Sequence, residues 1–120
     1  MNAQAVSAAS GSANVDAIFR ALADPTRRNV VERLSQKPAS ASDLAAPYRM
    51  ALPSFVEHMK VLEGCGLVRS RKQGRVRTYE LSVNRLKLAE DWLSRQRRFW
   101  EKRLDQLDEY LLKMKKGEEK

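Results

Sequence analysis

A single cysteine, Cys65, and a single histidine, His58, are all the thiol and imidazole chemistry that this 120-residue chain carries. One cysteine excludes an intrachain disulfide framework and fits a reducing compartment. So little histidine and cysteine leaves scant material for acid–base or nucleophilic catalysis. There is no P-loop, no glycine-rich phosphate loop and no nucleophile–base pair at an informative spacing. The sequence therefore argues against an enzyme and implies no cofactor. No stretch approaches the roughly 18 consecutive apolar residues of a membrane span. Residues Met1 to Ala13 lack the positive charge and sustained apolar core of a secretory signal. The expectation is a cytoplasmic protein without a membrane partner. Acidic residues are also short, 15 against 23 lysines and arginines, for a net charge of +8. That imbalance points to a polyanion, although a merely soluble basic surface has the same composition. Only the placement of the charges separates the two.

Residues 1–14 are mostly Ala, Ser, Gly, Asn and Gln, and bury too little apolar area to offset their ordering entropy. They read as a disordered tail. One domain is expected over residues 15–115, with a charged tail at 116–120. Val15, Ile18, Phe19 and Leu22 follow the i, i+3, i+4, i+7 spacing of one helix face. Asp24 then caps a second helix that has Pro25 at its first position and an apolar face at Val30, Val31 and Leu34. Ser40 with Asp43 resembles a capping box and opens a short third helix running to about Tyr48. After a turn at 49–52, Pro53 starts a fourth helix with an inner stripe of Leu52, Phe55, Met59 and Leu62, stopped by Gly64 or Gly66. Leu67 to Lys72 and Arg75 to Leu81 read as strands, with Gln73-Gly74 as the hairpin turn. From Ser82 the helical pattern returns and holds to about Lys115.

Two short helices joined by a brief turn form a helix-turn-helix, whose second helix enters the major groove. On that helix a 100° step per residue places Ser54, Glu57, Lys60 and Val61 opposite the buried stripe, with His58 at its edge. An ordinary amphipathic surface helix would show the same pattern. The hairpin adds the decisive placement. Arg69, Arg71, Lys72, Arg75 and Arg77 fall within nine residues that contain no acid. Alone, such a cluster repels itself; beside a duplex, each phosphate contact releases counterions and adds affinity. Arg75, next to Gly74, is also placed to enter a narrow minor groove. A basic strand edge can instead serve only to discourage edge pairing, but that leaves its position after a helix-turn-helix unexplained.

The stretches FRALADPTRRNVVERL (Phe19 to Leu34), HMKVLEGCGLV (His58 to Val68) and GRVRTYEL (Gly74 to Leu81) resemble the ArsR/SmtB family of bacterial winged-helix repressors. The resemblance spans roughly residues 15 to 110. It implies an α+β, mainly α fold: a winged helix-turn-helix of four helices, a two-stranded wing and a long C-terminal dimerisation helix. It also implies a homodimer that binds an operator in adjacent major grooves and releases it when a signal is sensed. Val56 and Glu57 depart from the family pattern, which has a small polar residue at the first position and often a basic or neutral polar one at the second. Glu57 repels phosphate, yet a carboxylate can accept from a cytosine amino group.

The last helix carries a separate signal. Leu86, Leu93, Trp100, Leu107 and Met114 recur every seven residues, Leu104 and Leu111 add to this seam, and Trp92 and Phe99 form a neighbouring row. Such a seam on a helix longer than 30 residues suits packing on another helix, and a small domain has few long surfaces of its own to cover it. Trp92, Leu93, Trp100, Leu104 and Leu107 are the expected dimer contacts. Ser54, Glu57, His58 and Lys60 are expected to meet the major groove, and Arg71, Lys72, Arg75 and Arg77 the flanking backbone and minor groove of double-stranded DNA. No metal site is expected. The third helix, SASDLAAPYR, has no Cys or His, and neither has the last. His58 and Cys65, seven residues apart, would stand about 10 Å apart along a helix, too far for one zinc. The residues name no effector. The rival reading is a winged-helix protein-interaction module that has lost specific DNA reading, with the long helix as its docking surface.

Overall fold

The computed structural model describes residues 14–118. The described part of helix α1 covers residues 14–22, so Asn14 is already helical, and residues 1–13 of the expected tail lie outside the described residues. Helix α2 (Pro25–Leu34) starts as its sequence dictates: the Asp24 carboxylate accepts from the Arg27 N–H at 3.0 Å, and Pro25 occupies a position that has no N–H to lose. Strand β1 (Ala39–Ser40) leads into α3 (Ala41–Ala45), where the Ser40 hydroxyl accepts from the Asp43 N–H at 3.2 Å. Helix α4 spans Leu52–Gly64, and strands β2 (Val68–Gln73) and β3 (Val76–Leu81) form the hairpin. Helix α5 runs Val83–Glu118.

Two compact units divide this chain, one ending at Ala89 and the other comprising the rest of α5. In the first, α1 gives Ile18 and Ala21 to the core, α2 gives Val30, Val31 and Leu34, and α3 gives Leu44. Phe55, Met59 and Leu62 come from α4, and Leu67, Val68, Tyr79 and Ala89 close the cluster. The sheet is antiparallel in the order β1-β3-β2, with Ala39 opposite Tyr79 and Val68 opposite Leu81. Burial, reinforced by the nearby Glu63 carboxylate, raises the Tyr79 phenol above its ordinary pKa. Gly66 ends α4 at φ +82°: its N–H donates to the Glu63 carbonyl and the Leu67 N–H to the Leu62 carbonyl, the paired bonds of a Schellman motif. The Leu67 carbonyl in turn accepts from the Ser82 N–H at 2.8 Å, just where the Ser82 carbonyl caps the start of α5. Leu67 is fully buried.

Several expectations need correction. Helix α3 ends at Ala45, short of Tyr48. The two-residue strand β1 was not expected. Leu52 is not part of the inner stripe: it is the first residue of α4, projects ahead of the core and is 66% exposed. The hairpin turn is Gly74-Arg75, one residue later than expected, with Gly74 at φ +64°. Helix α5 continues to Glu118, past its expected end at about Lys115.

In the second unit, residues 90–117 are helical throughout, and all are exposed except the half-buried Ser94. Leu93, Trp100, Leu104, Leu107, Leu111 and Met114 share one face, and Trp92 and Phe99 lie beside it. Leu86 also belongs to the seven-residue row, but it packs on the core of the first unit. Lys115 and Lys116 in the last turn complement the helix dipole.

Candidate nucleic-acid interface

Helix α4 is held by two clamps. In the first, the Arg33 guanidinium donates to the Leu44 carbonyl at 2.7 Å and the Asp43 carbonyl at 2.8 Å, closing the open end of α3. The same guanidinium lies over the Tyr48 ring, 5.7 Å from its centroid. The Tyr48 ring stacks on Phe55 of α4 at 5.7 Å, and its hydroxyl donates to Asn29 on α2. The turn between the two short helices is thus tied to α2 on one side and α4 on the other.

Arg27 makes the second clamp. Its Nε donates to the Ala21 carbonyl at 2.7 Å and a terminal nitrogen to the Arg20 carbonyl at 3.2 Å, capping the end of α1. Its other terminal nitrogen lies 3.1 Å from Nδ1 of His58, on α4. With Arg27 donating, Nδ1 is the acceptor in this contact. The Asp24 carboxylate stands 3.7 Å from the same nitrogen. The Arg27 N–H bond holds the Asp24 carboxyl below its ordinary pKa; burial opposes this, and the His58 and Arg27 charges assist. His58, expected at the groove, therefore has its Nδ1 committed to α2, and its side chain is only 22% exposed. Arg27 and Arg33 were missed in the sequence. Arg27 carries a legible signal, because it lies three and four residues before the buried Val30 and Val31, on the same helix face.

The other expected groove residues are exposed. Ser54 lies in the first turn of α4, and Glu57 pairs with Lys60 at 3.4 Å, both side chains well solvated. Such a pair contributes little to stability. Pro53 and Val56 are exposed alongside them.

On the wing, strand alternation places Val68, Ser70 and Lys72 on one face with their partners Leu81, Tyr79 and Arg77. Arg69, Arg71 and Gln73 occupy the other face. Arg69 pairs with Glu80 at 3.5 Å, and Arg77 donates to the Ser70 hydroxyl at 2.7 Å. The side chains of Arg71, Lys72 and Arg75 make no hydrogen bond or salt bridge among the described residues. Lys72 sits directly opposite Arg77, a like-charge pair that weakens an isolated hairpin. Arg75 occupies the turn. Positive charge thus covers both faces and the tip of the wing.

Cys65 caps the C-terminus of α4, half-buried, with its thiol 3.4 Å from the Leu62 carbonyl. No three His, Cys, Asp or Glu side chains among the described residues are placed to hold a metal ion. No described helix is long and apolar enough to cross a membrane.

The helix-turn-helix domain family matches residues 22–71 of this chain, from the end of α1 into β2. The HTH-type transcriptional regulator Rv2034 of Mycobacterium tuberculosis is 37% identical over 89 residues, 74% of this chain and 80% of that protein. The transcriptional repressor SdpR of Bacillus subtilis is 26% identical over 76 residues, covering 63% of this chain and 84% of its own. The crystal structure of an ArsR family transcriptional regulator, RHA00566, superposes with a TM-score of 0.72 at 49% identity, over 75% of this chain and 93% of that one.

Proposed function

This chain belongs to the ArsR family of winged helix-turn-helix transcriptional regulators, and from that premise we propose that it acts as a homodimeric repressor on an inverted-repeat operator. The observation that carries this reading is the wing. Three cations without a hydrogen bond or salt bridge among the described residues, and a fourth set opposite one of them, are costly on a free hairpin and favourable against phosphates. Arg71, Lys72, Arg75 and Arg77 hold the backbone and minor groove. Ser54, Glu57 and Lys60 face the major groove, and His58 braces the helix that presents them. The apolar row of α5, with Trp92, Leu93, Trp100, Leu104 and Leu107, pairs two subunits. A two-fold dimer then offers two reading helices to half-sites about one helical turn, ~34 Å, apart.

The test is a gel-shift titration against the promoter of the protein's own gene at several salt concentrations. Tight, salt-sensitive binding to an inverted repeat is expected. Arg75→Ala should make the log–log salt slope shallower by about 0.9 for each phosphate no longer neutralised, so about 2 for a dimer. An unchanged slope rejects a phosphate contact at Arg75. Only micromolar, sequence-blind binding by the wild type rejects the repressor and favours a protein-docking module.

A further inference from the structure

Helix α4 exposes two apolar side chains in its N-terminal half: Val56, beside the outward face that carries Glu57 and Lys60, and Leu52, at the edge of the inner stripe and ahead of the core. Leu52 is 66% exposed and Val56 41%. They lie four residues apart, one above the other on the helix surface, in its N-terminal half. In helix-turn-helix proteins that half carries the residues that reach base edges. Val56 also lies four residues before Lys60 and next to Glu57, so its surroundings are charged. Neither side chain contributes to the core, which α4 supplies through Phe55, Met59 and Leu62.

The occupant of such a patch follows from its setting. The wing that follows α4 along the chain is strongly cationic, so the surface meets a polyanion. The edges of a B-form major groove are polar donors and acceptors, with one apolar exception, the 5-methyl group of thymine. We propose that Val56, together with Leu52, selects thymine in each half-site by contact with its 5-methyl group. The contact excludes water from two apolar surfaces and needs no hydrogen bond. Glu57, held beside it by Lys60 at 3.4 Å, is then placed to accept from a cytosine amino group at a neighbouring position. This inference rests on the repressor reading and adds the chemistry of what the reading helix recognises.

The experiment uses duplexes selected from a random library by the wild-type protein. Each selected duplex is remade with deoxyuridine replacing thymine, which removes the methyl group and leaves base pairing intact. Affinities are compared at fixed salt. The wild type should bind the deoxyuridine duplex more weakly, by about fourfold for each buried methyl group removed. Val56→Ser should bind the thymine duplex more weakly than the wild type and lose most of the preference between the two duplexes. Leu52→Ser should reduce the preference less. Both sites are exposed, so both variants should keep the wild-type thermal midpoint. Equal wild-type affinity for the two duplexes overturns the inference, and so does a Val56→Ser variant that keeps the full preference. If no sequence is enriched at all, the repressor reading falls first and takes this one with it.

Discussion

The two units of this chain treat apolar side chains in opposite ways. In residues 14–89 they are drawn inward from five helices, two strands and the turn at Leu67 into one cluster. In residues 90–117 they stand in water along a single helix, with Trp100 59% exposed. The first unit meets its folding requirement within one chain. The second does not: an isolated helix is marginal in water, and most helical stability comes from packing of an apolar face. A row of exposed leucines this long, with Trp100 among them, is a surface suited to packing against another.

The sharpest way to break the contrast is to damage each unit and watch protein concentration. Leu62→Ala, in the fully buried core, should cost about 2–5 kcal/mol of unfolding free energy. Urea denaturation should show that loss at every protein concentration. Trp100→Ala should weaken subunit association by about 2 kcal/mol or more, as expected of a central aromatic contact. Sedimentation equilibrium should show the dissociation constant rising about thirtyfold or more, with the 14–89 core still folded. If Trp100→Ala destabilises the protein equally at all concentrations, the contrast between the units is wrong.

Smaller effects sharpen it. Asp24→Ala removes the cap of α2 and the acidic neighbour of His58, and should cost about 1 kcal/mol. The native carboxyl has its pKa lowered below the unfolded value of about 3.9. Its contribution is therefore present above that value and is lost as pH falls through the native one. Acid denaturation curves of the wild type and Asp24→Asn should stay separated above about pH 3.9 and draw together as pH falls below it, through the lowered native pKa. The smallest effect belongs to Lys60→Ala. Its pair with Glu57 is solvated on both sides, so thermal unfolding should move by less than about 0.5 kcal/mol. A larger shift would mean that the outer face of α4 has a structural duty.

Much of this was legible wherever a local signal sufficed. Asp24 and Pro25, Ser40 and Asp43, and the Val30–Leu34 and Phe55–Leu62 stripes each encode their element within a few residues. The seven-residue row of α5 named a surface rather than a core, although Leu86 at its start packs inward. What escaped depends on distant partners. A two-residue strand such as β1 has no periodicity to read and exists because Tyr79 and Thr78 lie opposite it. Leu52 has the phase of the inner stripe, yet it begins its helix before the core does. His58 sits at a helix edge, and its direction is set by Arg27, 31 residues away. Of the proposed DNA contacts, the wing cations were readable from charge alone, whereas the pairing of Lys72 with Arg77 needed the strand register.

One residue joins three elements of the fold. Leu67 gives its N–H to the end of α4 and its carbonyl to the residue that caps α5. The end of α4, the start of the wing and the start of α5 therefore meet at a single residue, with no spare linker between them. Hydrogen bonds through Leu67 give the root of α5 a direct route to the end of α4.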